Sequence, residues 1–419
     1  MALQLFEHNE KAYKCTKMFD VISYAMVLLP SFIVYYVMIP NTSFMIIVWG
    51  VIFVMLAAIL SAGISYIISL LFVKITSKFK NFNIIQSILT LLMLSGYLIL
   101  QYSIPGYLTE FSGNPVEYIN TMPLIKYLLS WILHNNLIVF IIICLIAVCI
   151  YSISFSLRYH YFGKDFKTYQ SKDDSLTYQS LSVWKALLRK ELKFYFNTTN
   201  YFVNTIMGCF FLVGISVAYR IIGKEQVLIF MNALPKEFNV SPEIIIVILS
   251  CLLLTTTVTS SVSISLEGKH FWILKAHPVK VKDVFISKML VNIIISTIAA
   301  LISSIFFGEI SKPITYLIYF LIPTVVGINN SIIGLIINLI FPKLDFESVE
   351  QVVKRGLSHI LSMGLSFILA LIPVIVYFVF GKNWTLIIYA LVAIIIYVII
   401  MLIAYVILMT KGVKMYNKL

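Results

Sequence analysis

Acidic and charged residues are scarce in this chain. Only 18 of 419 residues are Asp or Glu, and 12% are charged in all, while 60% are hydrophobic. That balance excludes an ordinary soluble globular domain. No GxxxxGK[ST] loop occurs, so the chain has no recognisable cradle for ATP phosphates. The six histidines fall in no HExxH or metal-ligand cluster, and no Ser/His/Asp set can be assembled. Five cysteines, Cys15, Cys144, Cys149, Cys209 and Cys251, form no CxxC pair, and four lie in apolar runs, as reduced packed thiols do. The first 19 residues are polar and lead into an apolar run too long for a cleavable signal.

What the chain has is long hydrophobic runs. A membrane helix takes about 18 to 25 apolar residues, and ten stretches qualify: residues 20–39, 45–72, 84–104, 137–157, 201–222, 244–266, 289–307, 314–340, 360–380 and 386–408. The fold expected is all-α, a polytopic membrane bundle of about ten spans in unequal halves of four and six. Domain limits follow at 1–163, a polar cytoplasmic linker at 164–181, and a six-span domain at 182–419. The net charge of +13 is spread over short loops, so it argues against nucleic acid and for topology. With the N-terminus inside, 25 of the 31 Lys and Arg flank the spans on one side, which places both termini in the cytoplasm of a cell membrane.

Between the third and fourth spans, residues 123–133 are apolar with Tyr127 and Trp131, too short to cross and expected to be interfacial or re-entrant. From Ser182, Trp184, Leu187, Leu188, Leu192 and Tyr195 fall at helical spacing opposite Lys185, Arg189, Lys190 and Lys193, a basic amphipathic helix against the lipid surface. Gly327, Ser331 and Gly334 share one helix face suited to close packing. Thr255 to Thr257, Thr259 and Ser260, with Asn204, Asn292, Asn329, Asn330 and Asn338, are expected to bond to carbonyls or bridge helices. Ionisable groups stay in loops or at span ends. An ion-coupled carrier needs them inside the membrane, so coupling energy is expected from elsewhere.

The densest constellation joins the sixth and seventh spans. Glu267-Gly268-Lys269 ends one apolar run. His270-Phe271-Trp272 and the basic run from Lys275 to Lys282 follow, and a new span begins after Lys288. Pro278 is expected to break the connector into two short pieces. The pattern SLEGKxxWILKxxPVxxKxxxxSKxLxN over residues 265–292 resembles the ABC exporter permeases of low-GC Gram-positive bacteria, which are ABC-2-like membrane subunits. LLRKELKFYFNTTNYFVNTIMG, residues 187–208, resembles the opening of their permease domain.

That resemblance implies a transport subunit without enzymatic activity of its own, working with a separate ABC ATPase that holds ATP and Mg²⁺. Glu267, Gly268, Lys269, Trp272, Lys275 and Pro278, with Arg189, Lys190 and Glu191, are then the coupling residues. Permeases of the class have six spans per half, so the first half reads two spans short, and a second permease copy becomes a further partner beside lipid. Lys11 to Lys17 matches Lys282 to Lys288 in register as a short internal repeat. The alternatives are a non-transporting scaffold or sensor, and more weakly an ion-coupled carrier.

Overall fold

The computed structural model describes residues 44–76, 83–97, 137–161, 182–223, 240–277, 279–381 and 384–419. Six of its helices are long and apolar enough to cross a membrane, and three apolar ones are shorter. It is a helical membrane bundle. The readings made for Lys11–Lys17, residues 20–39, residues 105–136, the linker and Pro278 lie outside the described residues.

The chain divides into two units, Met1–Asp174 and Ser175–Leu419. In the first, α1 (Phe44–Thr76) packs on α3 (Leu137–Tyr161), with α2 (Asn83–Tyr97) between them in sequence. Small residues bring α1 and α3 together: Ala58, Ala62 and Ala147 are fully buried, and a Cβ at Gly63 would touch the Ile150 side chain at 3.0 Å.

The second unit opens with the surface helix α4 (Val183–Asn197), which turns at Thr198 into the span α5 (Thr199–Ile222). Then come α6 (Pro242–Leu254), α7 (Ser260–Ser263), a 3₁₀ turn over Ser265–His270 and α8 (Phe271–Ala276). The spans α9 (Val281–Phe307) and α10 (Ile314–Ile340) lead through the short α11 (Val349–Val353) to α12 (Leu357–Phe380) and α13 (Leu386–Ile407). A π turn at Leu408–Gly412 joins α13 to α14 (Val413–Lys418). Helix α10 is the axis: 67% of its apolar stretch is buried, against 44% or less in every other candidate span, and it touches α6, α7, α9, α12 and α13.

Two apolar clusters fill the unit, with a polar layer between them. On α9, Val284 to Met289 belong to one cluster and Ala299 to Phe307 to the other. Asn292 and Ser296 stand between. On α10 the clusters are divided at Asn329, Asn330 and Ser331 in the same way.

The sixth apolar run, residues 244–266, is not one continuous span. Its helix stops at Leu254, and five residues pass before α7 begins. The Thr255 and Thr256 hydroxyls turn back on the carbonyls of Leu252 and Leu253, at 2.6 and 2.9 Å, and compete with the helical ladder. Three asparagines take up the groups the break frees. Asn292 Oδ1 accepts from Thr259 N at 3.0 Å, Asn330 Nδ2 donates to Leu254 O at 2.9 Å, and Asn338 Oδ1 accepts from Ile264 N at 2.7 Å. Irregular backbone at this depth is tolerated only where protein satisfies it in this way. Close approach is also required: a Cβ at Gly334 would stand 2.6 Å from both Ser260 Oγ and Val258 Cγ1, and Ser331 Oγ donates to Met289 O.

Candidate coupling site

Helix α9 begins at Val281 rather than beyond Lys288, because Lys280 is extended and the chain turns helical at the next residue. Lys288, read as the end of a cytoplasmic loop, is therefore two turns into a helix, and its side chain is 1% exposed. An ammonium group that deep is tolerable only with partners. Lys288 Nζ donates to Glu267 Oε1 at 2.7 Å, to Glu191 Oε1 at 2.9 Å and to Ser263 O at 2.9 Å. On the solvent side Lys190 Nζ donates to both Glu267 oxygens at 2.7 Å.

Two cations and two carboxylates thus alternate across three elements. Periodicity puts Glu191 there, since Leu187, Glu191 and Tyr195 lie one turn apart on the inner face of α4. Glu267 is placed by the 3₁₀ turn, which Gly268 reverses at φ +55°. A Cβ at Gly268 would also press on the Phe346 ring at 3.1 Å. Burial alone would raise the Glu267 carboxyl, but the ammonium groups of Lys288 and Lys190 outweigh it and hold it down at about 2.

The other expected coupling residues spread outward from this cluster. Lys269 meets Asp345 at 3.4 Å, with both side chains exposed. Lys275 lies 5.5 Å from the Phe271 ring centroid and donates to Asn417 O at 3.4 Å. Arg189 is exposed and makes no ion pair or hydrogen bond among the described residues. Ahead of Pro278 the connector is a 3₁₀ turn, Ser265–His270, kinked at Gly268, followed by α8, Phe271–Ala276.

Trp272 is 64% exposed. Its neighbour Phe271 packs inside the unit, 5.2 Å from Tyr416, whose ring also meets Phe285 at 5.6 Å. Sequence reasoning assigned Tyr416 nothing; its only signal was an aromatic among the last basic residues. Glu191 is turned inward, where Lys288 meets it at 2.9 Å and Lys190 at 3.9 Å, so it can serve a partner only through these neighbours.

Beside the cluster, a cleft of about 590 Å³ runs between α4 and α8, lined in part by Val183, Leu187, Glu267, Ile273, Leu274 and Val279. Apolar walls broken by Lys190, half-buried Glu267, His270 and His277, with exposed Trp184 and Trp272 next to lining residues in sequence, suit a protein surface with an apolar core and a polar rim.

Residues 8–410 match the model of a family described as membrane proteins of 12 TMs. The chain belongs to this family. No curated protein and no solved structure matches the chain. Twelve spans in the family's description stand against ten read from hydropathy, and the match takes in both units.

Proposed function

We propose that the chain is the permease subunit of an ABC-type exporter, moved by a separate ATP-binding subunit that docks on the connector from Glu267 to Lys282. One observation carries this reading. The segments that resemble exporter permeases lie far apart in sequence, yet Lys190, Glu191, Glu267 and Lys288 join them in a single ion-pair cluster. A force on the connector would reach α4 and α9 together through contacts of 2.7 to 2.9 Å. Because α9 packs along the buried axis α10, displacement would pass into the membrane bundle. Trp272, Lys269 and the cleft between α4 and α8 would form the outer face that meets the ATPase, which would itself hold ATP and Mg²⁺.

Inside-out vesicles containing the chain and its co-purified partner test the reading. ATP should drive accumulation of exporter cargo such as dye or lipid probes, and Trp272→Ala with Lys269→Glu should abolish it while leaving insertion intact. Undiminished ATP-driven transport by that variant would reject the connector as the docking element.

One observation favours a second reading, an ion-coupled carrier. His359 is buried, and its Nδ1 is 2.8 Å from Ser261 Oγ on the broken segment. Transport driven by a pH gradient without ATP, and lost in His359→Gln, would support it over the first.

A further inference from the structure

Helix α4 carries four cations, Lys185, Arg189, Lys190 and Lys193, and one acid, Glu191. The acid is buried and neutralised internally by Lys288. Lys185, Arg189 and Lys193 recur at every fourth residue, so they form one stripe on the side opposite Leu187, Glu191 and Tyr195. All three are exposed. Among the described residues Arg189 and Lys193 have no ion-pair or hydrogen-bond partner, and Lys185 lies 5.6 Å from the Trp184 ring centroid. The helix has therefore turned its only negative charge inward and left a continuous positive edge outside.

A cleft of about 540 Å³ opens along that edge, lined by Ala186, Arg189, Lys190, Lys193, Phe194 and Asn197. Its inner wall is apolar, from Ala186 and Phe194, and its rim is cationic. Only Thr198 separates α4 from the span α5, so the helix is tethered where the chain enters the membrane. Trp184, at the start of the helix, is 43% exposed, and indole rings settle at the headgroup level, while the exposed Phe196 adds apolar surface at the other end.

We propose that this edge of α4 is a binding site for an anionic phospholipid of the adjoining leaflet. The lipid phosphate meets the Arg189 fork and the Lys193 ammonium, and the start of an acyl chain lies on Phe194. Arg supplies paired donors that match phosphate oxygens, and Lys adds a point charge. Lipid is favoured over an acidic protein segment because tethering to α5 holds the rim at membrane level, where anionic headgroups are already concentrated. The inference does not depend on the exporter reading, since a scaffold of the same family would carry the same helix.

The test uses the purified full chain in mild detergent, incubated with equal amounts of phosphatidylglycerol and phosphatidylcholine, with retained lipid counted by native mass spectrometry. No ATPase is present, so the outcome is separate from that of the exporter proposal. The wild type should retain phosphatidylglycerol selectively. Arg189→Gln with Lys193→Gln should weaken that retention about fivefold per charge removed. Lys414→Gln with Lys418→Gln, which removes two exposed charges elsewhere, should leave it unchanged. An unshifted melting temperature for the first variant shows that it folds. Equal retention of the two lipids by the wild type, or equal loss in both variants, would overturn the site. So would recovery of an acidic protein in place of lipid from a crosslinker at position 189 in native membranes.

Discussion

Lys288 and Glu267 stand 2.7 Å apart, one on a membrane helix and the other on the turn before it, and the ammonium is 1% exposed. A pair this deep is not evidence of stability by itself, because desolvating both ions offsets much of their attraction. What it provides is position. Glu267 is held by Lys288 from within and by Lys190 from outside, so the connector cannot shift without moving α4, α9 or both.

Removing the shared cation leaves two carboxylates facing each other. Lys288→Ala should therefore destabilise the protein by about 3–5 kcal/mol. Neutralising both carboxylates in that background, Glu191→Gln with Glu267→Gln, should recover part of that loss, because no unpaired buried charge is left. Thermal unfolding followed by size-exclusion chromatography in detergent reads both. A neutral Lys288→Ala would show that the cluster does not hold the connector.

Acid should release the same contact. The Glu267 carboxyl is lowered from its ordinary 4.5 to about 2 by Lys288 and Lys190, against the opposing effect of burial. A depressed carboxylate contributes stability that is fully present above pH 4.5 and is lost as the pH falls toward 2. Glu267→Gln should flatten the melting temperature across that window. An unchanged acid slope in the variant would place the lost stability on other groups.

The positions of the six long described spans were legible because runs of 18 or more apolar residues have few other homes. The break at Thr255–Thr259 was not, since hydropathy sums residues without asking whether a hydroxyl competes for the ladder. Lys288 read as a boundary because a single cation at the edge of an apolar run usually is one. Its acidic partners lie 21 and 97 residues away, beyond any local pattern. Asn292, Asn329, Asn330 and Asn338 bridge elements as their burial requires, whereas Asn204 bonds back to Asn200 within its own helix. Of Phe271 and Trp272, helix phase decides which ring packs, and that phase depends on a glycine turn invisible to hydropathy.

The asparagines of the polar layer should differ in importance by how many groups each satisfies. Asn338 Oδ1 accepts from both Ile264 N and Ser265 N, and its amide donates to Ser265 and Ser358. Asn338→Leu strands buried donors at about 1–3 kcal/mol each. Asn204→Leu should cost far less, and comparing the two melting temperatures checks the ranking. Equal losses would mean the broken segment does not rely on Asn338.

The basic residues read from the sequence, 25 of 31 flanking the spans on one side, predict that Lys275 faces the cytoplasm. Single cysteines at position 275 and at the exposed Ile310 should behave oppositely in intact cells after replacement of the native cysteines. An impermeant maleimide should label 310 and reach 275 only after permeabilisation. Labelling of 275 from outside would invert the topology.

Photo-crosslinking in native membranes tests most directly whether an ATP-binding subunit grips the connector. A photoreactive residue replaces Trp272, 64% exposed beside the ion-pair cluster, and in a separate variant replaces Ile310, 81% exposed at the turn between α9 and α10. The account predicts a P-loop ATPase, identified by mass spectrometry, crosslinked from position 272 and not from 310. Recovery of no ATPase from 272, or of equal amounts from both positions, would contradict it.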